Sequence, residues 1–217
     1  MQDASEPLWD VVEEHLDEAE FLWGAWEHGL VAPNYTLAEV AEGPEQRLSA
    51  HIDGLVIGGP PVVRRLLVPA LEEDEPGRVS AAATALLLGG RDANGLFAVL
   101  EAMRELPEQR PALVRALCCA DGSRLRPEVR ELLQDDDRAL VAAAAEVLAF
   151  HFEPLGETLG LLLADDDPAA RALALHAVLE EPEPGRHVRA VHAGLLEADP
   201  RIVDAAIATG TRLGLAA

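Results

Sequence analysis

Seven histidines, two adjacent cysteines and two aspartate triplets are the groups in this chain whose types could do chemistry. The histidines are His15, His28, His51, His151, His176, His187 and His192. A zinc site on helices places its ligands three or four residues apart, as in H-E-x-x-H, and no such motif occurs. His187 and His192 stand five apart, which does not align them on one helix face. His15 and His51 form the nearest candidate pair, each close to acids: Asp17, Glu18 and Asp53. They read either as a hydrogen-bonded structural pair across two helices or as the start of a His/acidic pocket.

Asp135-Asp136-Asp137 and Asp165-Asp166-Asp167 invite a calcium or magnesium reading. Calcium loops alternate their oxygens around a glycine turn, whereas these triplets lead straight into apolar helical patterns. Helix capping is the expectation, and no cofactor or metal is assigned. Cys118-Cys119 sit in an apolar helix, 112–120, where burial raises a thiol's pKa and packing in the core is expected. Adjacent positions make an ordinary disulfide between them awkward. Leu88-Gly89-Gly90-Arg91 lacks the Lys-Ser/Thr of a phosphate-cradling loop, and no G-x-S-x-G nucleophile elbow is present. The residues therefore point away from an enzyme. The surviving enzymatic alternative is a lyase-like activity on a helical scaffold, with His15 and His51 in its pocket.

The elements that must carry these groups are helices. Hydrophobic residues make up 49% of the 217, yet aromatic ones only 4%, so the core is built from Ala, Leu and Val. Ala and Leu favour helix, and strand-favouring residues are sparse. Turn positions Pro76, Pro107, Arg138, Pro168 and Pro200 recur at intervals of 31, 31, 30 and 32 residues. Repeats of this size are stacked supersecondary units, none of which buries its apolar face alone. Leu132-Leu133-Gln134-Asp135-Asp136-Asp137-Arg138 superimposes on Leu162-Leu163-Ala164-Asp165-Asp166-Asp167-Pro168.

Each unit reads as two helices. Val62, Val63, Leu66, Leu67, Ala70 and Leu71 form a stripe before the first turn, and Leu155, Leu159, Leu162 and Leu163 before the fourth. Leu140, Val141, Ala144, Val147 and Leu148 follow one turn; Ile202, Val203, Ala206, Ile207, Gly210 and Leu213 follow another. Asp137, Asp167 and Asp199 stand where an N-cap belongs, with Pro168 and Pro200 at the first helical position. Five pairs result, at about 61–90, 93–119, 126–150, 154–179 and 186–213.

The segment Asp167-Pro168-Ala169-Ala170-Arg171-Ala172-Leu173-Ala174 resembles the turn and second helix of a HEAT-like repeat, with Glu75–Ala82 a looser copy. The resemblance covers residues 61–217. It implies an all-α fold, an α-solenoid of about five HEAT-like helix pairs, and says little about activity.

Residues 1–60 are set apart as an acidic N-terminal helical cap, with 13 acids against the single base Arg47. A helix over 6–29 carries Leu8, Val12, Leu16, Ala19, Leu22, Trp23 and Trp26 along one side, and all three tryptophans, Trp9, Trp23 and Trp26, lie in it. They either cap the open end of the repeats or form a binding face, where aromatics concentrate interface energy. Thr36 and Glu39 spell a capping box. A further helix runs from about Pro44 to Val56 and breaks at Gly58-Gly59-Pro60-Pro61. His15–Trp23, Glu45–Leu55 and Tyr35-Thr36-Leu37 resemble the opening region of an uncharacterised family of proteobacterial HEAT-like proteins often found near type VI secretion gene clusters. That resemblance implies an accessory, adaptor or immunity role.

The net charge of −22 repels phosphate backbones and anionic membranes, and all 17 basic residues are arginines with no continuous basic stripe. Neither nucleic acid nor membrane is expected as a partner; a protein, in particular a basic one, is. The acidic start, 1–6, has no signal-peptide pattern, and two cysteines cannot build a disulfide framework, so the cytoplasm is the expected compartment. A third class, a subunit assembling with its own copies, leaves the oligomeric state open. The candidate partner-binding residues are Trp9, Trp23, Trp26, His15, His51 and Asp53.

Overall fold

A computed structural model describes residues 7–89 and 94–215, which form helices joined by short turns and contain no strand. The acidic start (1–6) and residues 90–93, where the first expected pair ends, lie outside the described residues.

Helix α1 (Trp9–Val31) starts two residues past Pro7 and buries Val12, Leu16, Ala19, Leu22 and Trp23, five of the seven residues of the expected stripe. Leu8 is exposed and Trp26 half-buried. Thr36 caps α2 (Leu37–Val40): its hydroxyl accepts the Glu39 N–H while the Glu39 carboxylate accepts the Thr36 N–H at 2.8 Å. The helix does not stop there. A π-helical turn (Ala41–Glu45) carries it into α3 (Gln46–Ile57), so two expected helices run on as one. Pro44 lies in that turn; a proline removes one N–H and its ring displaces the carbonyl four residues back, and the wider turn accommodates both. The same device recurs where a π turn (Val63–Leu67) joins α4 (Gly59–Val62) to α5 (Val68–Ala70), with Pro69 just beyond it. Between α3 and α4 the chain turns at Gly59, whose φ of +64° suits glycine.

Each periodic turn position starts a helical element: Pro76 begins α6 (Pro76–Gly89), Pro107 a 3₁₀ turn leading into α8 (Arg110–Cys119), Arg138 α10 (Arg138–Phe150), Pro168 α12 (Pro168–Ala177) and Pro200 α14 (Pro200–Arg212). The partner helices are α7 (Asn94–Glu105), α9 (Gly122–Glu131), α11 (Glu157–Leu163) and α13 (Val188–Gly194). Asp137, Asp167 and Asp199 cap their helices, each accepting a backbone N–H at 2.9 Å.

The chain divides into two compact units, through Leu125 and from Arg126. In the first, α6 is central, packing on α1, α3, α7 and α8. The helices before and after Gly59 therefore share one core. Alanines at 81–83 and 85 bring α6 close to its neighbours, and the fully buried Ser80 donates its hydroxyl to the Ala112 carbonyl at 3.0 Å. At Gly95 a Cβ would collide with the Leu86 carbonyl oxygen, so only glycine lets α7 approach so closely. In the second unit α12 packs on α11 and α14, and α13 on α14, around Leu175, Val191, Ile202, Ala205 and Ala206. Ile207, expected in the apolar stripe of α14, is instead 52% exposed. The buried face centres on Ile202, Ala206 and Gly210, which leaves Ile207 on its edge.

Candidate protein-docking site

Hollows of the first unit lie against α1. One, about 470 Å³, is lined by Trp23 and Trp26 of α1, Glu45 of the π turn, Ile52 and Asp53 of α3, and Cys119 of α8, among others. The Trp23 and Trp26 rings meet edge to face, 5.5 Å between centroids. The Trp26 indole N–H donates to Glu45 Oε2 at 3.1 Å, so the π turn fixes where that ring stands. Trp23 is only 3% exposed and its indole N–H has no hydrogen-bond partner. An unbonded N–H in an apolar setting forfeits its hydration, so this tryptophan is held by packing alone.

The second hollow, about 530 Å³, is acidic: Asp17, Glu20, Glu27 and Glu75 line it with Phe21 and Trp23. Arg78 spans its edge, donating to Asp17 at 2.6 Å and Glu20 at 3.2 Å and meeting Glu73 at 2.8 Å. Burial works to lower the Arg78 pKa, but Asp17, Glu20 and Glu73 together outweigh it and raise the value. Arg115 pairs with Glu27 at 3.1 Å. Phe21 stands 69% exposed beside this hollow and also lines a smaller one with His28, Tyr35 and Arg47. Tyr35 and Leu37 are exposed nearby in sequence, at 48% and 75%.

The structure brings three of the six sequence candidates, Trp23, Trp26 and Asp53, to one cavity. Trp9 stands apart, its ring under the Arg65 guanidinium at 3.9 Å with its N–H buried and unpartnered. His15 and His51 bond each other, Nδ1 to Nδ1 at 3.1 Å with rings edge to face. One ring must donate and the other accept, so the contact needs at least one neutral imidazole. Gly54 makes room for this pair, since a Cβ there would stand 2.8 Å from His15 Nε2. Asp53 lines the tryptophan cavity, of which neither histidine is part. Among the described residues no three of His, Cys, Asp and Glu group as metal ligands, and no helix is long and apolar enough to cross a membrane.

Sequence reasoning missed three lining residues. Cys119, expected in the core, is exposed at the end of α8, because the buried face of that helix is made by Ala112, Leu113, Ala116 and Leu117. Desolvation, together with the Glu27 and Glu45 carboxylates, pushes its thiol above the ordinary value. Glu45 gave no signal, since its position depends on the π turn. Phe21 did: it is a lone aromatic opposite the apolar stripe of α1.

The chain matches no family model and no curated protein.

Proposed function

We propose that the protein is a docking module that binds a partner protein on the surface formed by α1, the π turn and α3. The single observation behind this reading is the side-by-side placement of exposed apolar residues and carboxylates on that surface, with Phe21 beside the acidic hollow. Exposed aromatics amid polar groups mark interaction surfaces, and surplus negative charge steers a basic protein toward them. The scaffold in this reading is a HEAT-like solenoid of about five pairs with the N-terminal helices as its cap. In its favour, the periodic turn positions all start helices, and second helices pack on one another, α6 on α8 and α12 on α10 and α14. The resemblance of residues 10–60 suggests an adaptor, chaperone or immunity protein of a type VI secretion system, acting in the cytoplasm.

The test is affinity capture from a host lysate with the full chain and with Phe21→Glu, at low and high salt. The reading expects a basic protein that is retained by the unaltered chain, reduced by the substitution and released by salt. Capture equal for both chains, or insensitive to salt, overturns it.

A further inference from the structure

The tryptophan cavity sets two carboxylates beside two indole rings. Five of the seven acids of α1 have arginine partners: Glu13 with Arg65, Asp17 and Glu20 with Arg78, Glu18 with Arg47, and Glu27 with Arg115. Glu45 and Asp53, the carboxylates of the tryptophan cavity, have no cationic partner among the described residues, and no described arginine lines the cavity. Glu45 holds only the Trp26 N–H.

We propose that this cavity is a receptor for a guanidinium group, an arginine side chain presented by a basic segment of the partner, held between the half-buried Trp26 ring, which the buried Trp23 backs edge to face, and the Glu45 and Asp53 carboxylates. The proposal rests on the docking reading above and names the chemistry of its deepest contact. Aromatic rings attract a cation through their quadrupole, and carboxylates bond the planar guanidinium by charge-assisted hydrogen bonds. Arginine suits the site better than lysine because it stacks on rings and is less strongly hydrated. About 470 Å³ is ample for one such side chain with its flanking backbone. The raised thiol pKa of Cys119, caused by desolvation and by Glu27 and Glu45, agrees with a negative field there.

The test uses the full chain carrying Trp9→Phe, so that fluorescence reports Trp23 and Trp26 alone. Nα-acetyl-arginine methylamide is titrated in, with the citrulline amide as its uncharged isostere. A saturable change with the arginine probe and none with citrulline at equal concentration is expected. Glu45→Gln with Asp53→Asn should weaken the response about tenfold or more, while Glu13→Gln with Glu18→Gln removes the same charge from outside the cavity and should leave it within about twofold. The amide oxygen introduced by Glu45→Gln can still accept the Trp26 N–H, and circular dichroism checks that each variant is folded. Equal responses to both probes, or equal losses in both double variants, overturn the proposal. If the arginine probe fails while the partner is still captured through Phe21, the receptor is refuted and the docking surface stands. Saturable arginine binding without any captured partner has the opposite meaning.

Discussion

Replacing the three aspartates of 165–167 one at a time separates a capping role from a metal-binding one. Asp167 Oδ1 accepts the Ala169 N–H at 2.9 Å, and Asp165 Oδ1 accepts the N–H of Asp167 itself at 2.9 Å. The two side chains thus satisfy successive backbone donors at the entry to α12. Asp166 bonds neither. Loss of an N-cap costs about 1 kcal/mol, within a range of roughly 0.5–2, and loss of the Asp165 bond a comparable ~1 kcal/mol. For a chain of this size each kcal/mol lowers Tm by about 2–4 °C. Asp167→Ala and Asp165→Ala should therefore each lose about 2–4 °C in thermal unfolding followed by circular dichroism. Asp166→Ala should stay within about 0.5 kcal/mol of the parent, as exposed substitutions do. Asp167→Asn keeps the accepting oxygen and loses only the charge at the helix N-terminus, about 0.3–1 kcal/mol. Millimolar calcium should leave all of these Tm values unchanged. Equal losses at all three positions, or a calcium-dependent rise in the parent that every variant abolishes, would refute the capping argument in favour of a cation site.

Three further outcomes follow from the geometry. Gly95→Ala drives a Cβ into the Leu86 carbonyl, a backbone atom that cannot swing aside, and should destabilise by about 1–3 kcal/mol by denaturant titration despite alanine's better helix propensity. The Asp199 carboxyl is held below its ordinary value, chiefly by its side-chain hydrogen bond with Arg201. A depressed folded pKa means that its contribution is present above the unfolded value of about 3.9 and is lost as pH falls through the lower, folded one; Asp199→Asn should therefore flatten the acid limb of the Tm–pH curve. Cys119, exposed yet with its thiol pushed upward, should alkylate with iodoacetamide more slowly than a small free thiol at about pH 8, its rate still climbing past about pH 9. Mass-spectrometric rates at both pH values check this.

Whatever depends on near neighbours in the chain could be read without the fold. The aspartate caps, the Thr36–Glu39 box and the break at Gly59 are all set by residues within one helical turn of each other, and all stand in the structure as their spacing predicts; each periodic turn position likewise starts a helical element. The stripe of α1 was legible for the same reason, because helical period alone names the face that must be buried. What lies on either side of that stripe was not. Glu45 reaches Trp26 only because a π turn absorbs Pro44 and shifts the phase of the helix, and Cys119 reaches the same cavity because α8 ends where it does. Asp53 was grouped with His15 and His51 by proximity in sequence, whereas the packing of α3 on α1 turns it to the tryptophans and leaves the histidines to each other. Period selects the buried face of each helix, but which residues of different helices meet is decided by the rotation and approach of whole helices, and those depend on the side chains of both partners at once.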